Sequence, residues 1–128
     1  MPLRFDLGPG EKLFIGRTVL TNGQHRCHFV VDGDGPVLRE RDVIVETAQS
    51  TAPERLYVSI QQTYLNAAAG SNGAVYIELM SAAARYLQQA DIATLNALMA
   101  AGEFYRALRY LKKLLPSLAQ QSHSASAA

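Results

Sequence analysis

Apolar and polar residues alternate with a period of two over the first 45 positions. Leu3, Phe5 and Leu7 make one such run; Leu13 and Ile15, then Cys27, Phe29 and Val31, then Val43 and Val45 make the others. Turn-forming residues separate them: Gly8-Pro9-Gly10, Gly16, Asn22-Gly23 and Gly33-Asp34-Gly35-Pro36. Alternation with turn signals between the runs predicts a meander of short strands, placed near residues 2–6, 11–16, 18–21, 25–31 and 36–45. Asn22-Gly23 is the strongest hairpin signal, because a type I′ turn needs φ > 0 at both central positions.

The period lengthens at about residue 48. Thr51, Pro53 and Glu54 form a helix start, with Thr51 as cap, Glu54 closing a capping box and Pro53 in the first turn. Leu56, Ile60 and Tyr64 then give an amphipathic stripe, broken by the small residues of 67–73. A second helix carries Tyr76, Leu79, Ala83 and Tyr86 or Leu87, and a third is capped by Asp91 with Ile92, Leu95 and Met99 on one face. Gly102 suits the left-handed position past the third helix. A fourth helix covers residues 103–115, with Phe104, Leu108, Leu111 and Leu115 inward, and Pro116 disfavours its continuation. The fold class expected is therefore α+β: a five-strand antiparallel meander over 1–46, three to four helices over 47–118, and a flexible tail over 119–128. A meander of about 46 residues buries too little surface to stand alone, so it should pack on the helices or on a second copy of itself.

Composition narrows the class. At 128 residues, 48% apolar and 18% charged, the chain can fill one core. It holds no apolar run long enough to span a bilayer and no signal-like apolar stretch after Met1, which points to a cytoplasmic protein with no membrane role. The lone Cys27 excludes an internal disulfide and fits a reducing compartment. Net charge is only +1, so any phosphate binding must come from a local patch. Residues 103–115 hold four basic residues and one acidic.

Chemistry-bearing motifs are sparse. The chain contains no nucleophile elbow, Walker loop, dinucleotide fingerprint or HExxH, and is read as a non-enzyme without cofactors. His25, Cys27 and His28 are the only metal-like cluster, but His28 points away from the other two on a strand and the one further histidine, His123, lies in the tail. No metal is expected, and Cys27 is read as a buried small hydrophobe. The arginines carry more. On a strand, Val37, Arg39 and Arg41 share a face, opposite Leu38, Glu40 and Asp42, and Arg4 lies between Leu3 and Phe5. Edge strands presenting guanidinium groups beside apolar side chains suit single-stranded RNA, although cross-strand ion pairs on a solvated face give the same pattern. Arg106, Arg109 and Lys113, with Lys112 alongside, make a second basic face, which is either solvated or a contact for RNA or an acidic protein.

These residues also carry a resemblance. MPLRF, PGEKLFIG, the NG turn, VLRERDVI and PERLYVSIQQTYL, in that order, resemble the FlbT family of flagellin-synthesis regulators. The resemblance implies a cytoplasmic bacterial repressor acting after transcription, on the untranslated leader of flagellin messenger RNA. The first half is also similar to the CsrA family of carbon storage regulators: GEKLFIG, Gly23-Gln24-His25-Arg26 and Val37-Leu38-Arg39-Glu40-Arg41 match that family's motifs. That likeness places the family's RNA-contacting arginine on Arg39 and implies a site formed by Leu3, Arg4 and Phe5 with Val37, Arg39 and Arg41. It also implies an intertwined homodimer that exchanges its first and last strands. Leu38 and Arg41 stand where that family has His and Glu. The alternative from another class is a protein-binding module, whose helical half holds a helical segment of a flagellar protein.

Overall fold

A computed structural model describes residues 2–66 and 73–127, the backbone alone for 119–127. Five strands come first: β1 (Leu3–Leu7), β2 (Lys12–Ile15), β3 (Thr18–Thr21), β4 (Cys27–Val31) and β5 (Val37–Arg39). Four α-helices follow: α1 (Ala52–Leu65), α2 (Gly73–Ala83), α3 (Gln89–Ala100) and α4 (Phe104–Ala127). This is the expected α+β order. β1 pairs antiparallel with β4, from Leu3 opposite Val31 to Leu7 opposite Cys27. β2 lies between β3 and β5, also antiparallel, which makes β5 an edge of its sheet.

The hairpin turn falls elsewhere than Asn22-Gly23. Ile15 pairs with Thr18, so Gly16 and Arg17 form the two-residue turn, with Gly16 at φ 57°. Glycine at the first central position is what a type II′ hairpin requires. Asn22 is buried and does not take a positive φ. Its side-chain amide donates to the carbonyls of Leu7, Gly8 and His25 at 2.8–2.9 Å, tying the end of β1 to the approach to β4. Three acceptors share the two amide hydrogens, so tertiary hydrogen bonding displaced the turn preference.

β5 is also shorter than the expected 36–45. It ends at Arg39, and Glu40–Asp42 coil into a single 3₁₀ turn. The ladder's next position would pair Glu40 with Lys12. The Glu40 carboxylate takes that place, accepting the Lys12 N–H at 2.9 Å. Cys27 is exposed rather than buried, because it opens β4 beside the exposed loop 23–26.

The helix signals hold at two ends and fail at two. Thr51 and Glu54 form the reciprocal capping box at the start of α1. Gly102, at φ 74°, closes α3: its N–H bonds to the Met99 carbonyl and the Glu103 N–H to the Leu98 carbonyl, a Schellman motif. α3 starts at Gln89, so Asp91 is not its cap; it sits in the first turn and accepts the Tyr110 hydroxyl at 2.7 Å. α4 does not stop near Leu115. It carries Pro116 inside and continues to Ala127, with Leu118 packed in the helical core just past the proline. Of the expected break at 67–73, residues 67–72 lie outside the described residues and Gly73 already opens α2; the tail's side chains, His123 among them, lie outside as well.

Two apolar cores result. Phe5, Leu7, Leu13 and Val37 form the smaller, among the strands. The larger joins α1 through α4 around Leu56, Ile60, Leu95, Leu108 and Leu111. Their link is a pair of adjacent residues on β5. Val37 turns into the strand core and Leu38, at 2% exposure, into the helical one. Strand alternation makes this possible, since consecutive side chains face opposite ways.

Leu38→Ala is accordingly expected to destabilise the chain by about 2–5 kcal/mol, the range for a buried large-to-small change. Val30→Ala, at an exposed position, should stay within about 0.5 kcal/mol. Denaturant midpoints of the two variants check this.

Candidate nucleic-acid interface

Three side chains of α1, at i, i+4 and i+7, fix the chain that leaves the sheet. The Tyr57 hydroxyl donates to the Asp42 carbonyl at 2.5 Å. The Gln61 side chain pairs with both backbone groups of Ile44, accepting its N–H at 2.9 Å and donating to its carbonyl at 3.0 Å. The Tyr64 hydroxyl does the same for Val37, accepting its N–H at 3.0 Å and donating to its carbonyl at 3.3 Å. Helical spacing puts the three on one side of α1. From α4, the Lys112 ammonium pairs with the Asp42 carboxylate and donates to the Arg41 carbonyl at 2.9 Å.

The 3₁₀ turn so held forms one wall of a cleft of about 590 Å³ where strands and helices meet. β1 contributes Leu3, Arg4 and Phe5, and β5 contributes Val37 and Arg39. Arg41 and Asp42 come from the turn, Tyr64 from α1, and Tyr105 and Arg109 from α4. The six residues expected at the β-edge therefore line one cavity. The Arg39 guanidinium lies over the Phe5 ring, 5.0 Å from its centroid, which bridges two sheets. The Tyr64 and Tyr105 rings are 5.6 Å apart and tilted by 49°.

Details differ from the strand-based expectation. Arg41 is not on a strand and does not reach the site by alternation; the turn carries it there. Asp42, expected on the opposite face, lines the same cleft. The second basic face divides. Arg109 joins the main cleft, and with Lys112 and Lys113 it lines an adjoining one with Arg41 and Asp42. Lys112 is occupied in holding the turn. Arg106 is exposed and lines neither cleft. Sequence reasoning missed Tyr64 and Tyr105 as site residues. The available signal was Tyr105 directly before Arg106 and four before Arg109, an aromatic set into the basic stretch.

Arginines flanking exposed aromatic edges can hold phosphates and stack bases. Tyr105 keeps 41% of its surface open for such contact. Beneath, burial pushes the Tyr57 hydroxyl up to about 12, with the neighbouring Asp42 charge adding to it. Burial also raises Tyr64, against the opposing effect of its hydrogen bond with Val37. Both hydroxyls are thus kept neutral, able to donate to the carbonyls they hold. Among the described residues, no group of three or more His, Cys, Asp or Glu could hold a metal ion. Nor is any described helix long and apolar enough to cross a membrane.

The family model described as flagellar protein FlbT matches residues 3–120. The chain belongs to the FlbT family. It is 35% identical over 119 residues to a probable flagellum biosynthesis repressor protein FlbT of Rhodopseudomonas palustris (strain TIE-1), covering 90% of this chain and 93% of that one. It is 28% identical over 118 residues to a probable flagellum biosynthesis repressor protein FlbT 1 of Bradyrhizobium diazoefficiens, covering 90% and 81%. To the flagellum biosynthesis repressor protein FlbT of Caulobacter vibrioides (strain ATCC 19089) it is 27% identical over 120 residues, covering 90% and 85%. No solved structure matches it. In this FlbT-family chain both β1 and β5 pair with strands of the same chain.

The raised tyrosine has a consequence for alkaline stability. A folded-state pKa of about 12 against an ordinary 10 means that the fold favours neutral Tyr57. Its contribution is intact below about pH 10 and is lost as pH climbs to about 12, on the order of 1–3 kcal/mol. Tyr57→Phe should flatten the decline, leaving the part due to the other raised tyrosines, Tyr64 and Tyr76, the latter also raised to about 12 by burial. Urea midpoints across that pH range measure both curves.

Proposed function

We propose that this chain is a repressor of flagellum biosynthesis that acts after transcription, by holding single-stranded RNA of the flagellin leader in the cleft between its strands and helices. The relatives named as flagellum biosynthesis repressors support the first part. The observation that carries the second is the cleft itself, where Arg4, Arg39, Arg41 and Arg109 surround Phe5, Tyr64 and Tyr105. Guanidinium groups take phosphates and base edges, and the tyrosine rings, Tyr105 above all, accept bases that are free of a duplex, while Phe5 lies buried beneath Arg39. Occupying the leader would block its use by the translation machinery, which is repression by exclusion. The chain acts in the cytoplasm, where its message is found, and as a homodimer, which would present two such clefts.

A second reading rests on a different surface. Val45 and Ile77 are 77% and 66% exposed, and each lines a groove beside α2, the one at Ile77 mostly apolar. Exposed apolar surface of this kind suits a helical segment of a flagellar protein.

Arg39→Ala should weaken flagellin-leader RNA binding by roughly 5- to 150-fold, the loss of one good guanidinium contact, about 1–3 kcal/mol. Arg85→Ala, which lines neither the main cleft nor the adjoining basic one, should bind like the parent. Affinities at one fixed salt concentration, with thermal melts as folding controls, decide it. Equal binding by both variants would move the function to the apolar grooves.

A further inference from the structure

The main cleft does not end at its own walls. On one side a second cleft of about 410 Å³ shares Arg4, Phe5 and Arg39 with it and extends over β4 to His28, Phe29 and Val30. On the other side a third, of about 300 Å³, shares Arg41, Asp42 and Arg109 and extends along α4 to Lys113. Shared residues set the three side by side, a groove of adjoining clefts from the β1–β4 ribbon past β5 to Lys113 on α4. We propose that this whole groove is the binding track for single-stranded RNA, with Phe29 as a base platform at one end and Lys113 as a phosphate contact at the other. The proposal rests on the RNA reading above and extends it to residues outside the central cleft.

The charges along the groove fit an anionic strand. Two carboxylates lie on it, and each has its own cation. Asp6 pairs with Arg26 at 3.2 Å, and His28 stands 3.7 Å away. Asp42 pairs with Lys112. Among the described residues, Arg4, Arg39, Arg41, Arg109 and Lys113 form no ion pair with a carboxylate. The groove therefore offers a row of five cations with its acidic groups already neutralised. Aromatic rings stand among them: Phe29, partly buried against the strand core, and the Tyr64 and Tyr105 pair. A basic groove combined with aromatic side chains is how sequence-tolerant single-strand sites track a backbone and its bases. Three joined clefts call for a footprint of about four nucleotides or more, the low end for such sites.

The test uses the full chain, the flagellin-leader RNA and fragments trimmed stepwise from both ends, read by fluorescence anisotropy over a salt series. Affinity should drop once fragments fall below about four nucleotides. Lys113→Gln should lower the slope of log affinity against log salt by about 0.7 on the leader, one phosphate fewer, and Lys113→Arg should restore it. Phe29→Leu keeps an apolar side chain and removes the ring; it should weaken leader binding several-fold and leave the slope unchanged. Each substitution should have no effect on a fragment too short to reach beyond Arg39. If Lys113→Gln and Phe29→Leu bind the leader as the parent does while Arg39→Ala is weakened, the track is overturned and the central site stands. If the parent chain binds no leader RNA at low salt, the RNA reading itself falls, and the track with it.

Discussion

Backbone that leaves a sheet must find new hydrogen-bond partners wherever it stays out of water. Here the chain departs from β5 after Arg39 and crosses toward the helices before α1 begins. One helix face meets the requirement. Tyr57, Gln61 and Tyr64 bond the backbone at Asp42, Ile44 and Val37, the latter two through both donor and acceptor. Gln61 is itself buried, so its amide and the Ile44 peptide satisfy each other. Without that grip, β5 would be an edge strand held only by three residues paired with β2. With it, Leu38 is driven into the helical core while Val37 stays in the strand core.

The cleft follows from this arrangement. Because α1 fixes the turn Glu40–Asp42, Arg41 and Asp42 are carried to the same side as Arg39. Because Lys112 clasps that turn from α4, Arg109 and Tyr105 are brought in as the opposite wall. The β1 wall is set separately, by burial of Phe5 and by Arg39 lying over its ring. A site built from five elements in this way depends on their packing, and its aromatic and cationic groups come from both halves of the chain.

Local signals were legible where the interaction itself is local. The capping box of Thr51 and Glu54 and the left-handed Gly102 involve neighbours within one helical turn, so their chemistry is complete in the sequence. Period-two runs located β1, β2 and β4, each with one face turned to the strand core, whereas the run at Val43 and Val45 lies past the end of β5 and forms no strand. The failures share one cause. Asn22 carries the residue type of a hairpin turn, yet carbonyls up to 15 positions away claimed its amide. Asp91 carries the type of a cap, yet it serves Tyr110 on another helix. Pro116 carries the type of a stop, yet Leu118 beyond it is buried in the core and the helix goes on.

For the site, the sequence by itself determined which side chains could take part. Leu3, Arg4, Phe5, Val37, Arg39 and Arg41 were legible as apolar groups beside guanidinium groups at the two ends of the meander, and the basic run of α4 by its composition. It also determined the α+β order, since periodicity and capping are read within a few residues of chain. Only the tertiary structure decided that the two ends of the meander face one another, that Tyr64, Tyr105 and Arg109 join them, and that Lys112 is taken by Asp42. Those outcomes rest on hydrogen bonds, an ion pair and a cation–ring contact between residues 15 to 71 positions apart, where no spacing rule along the chain reaches.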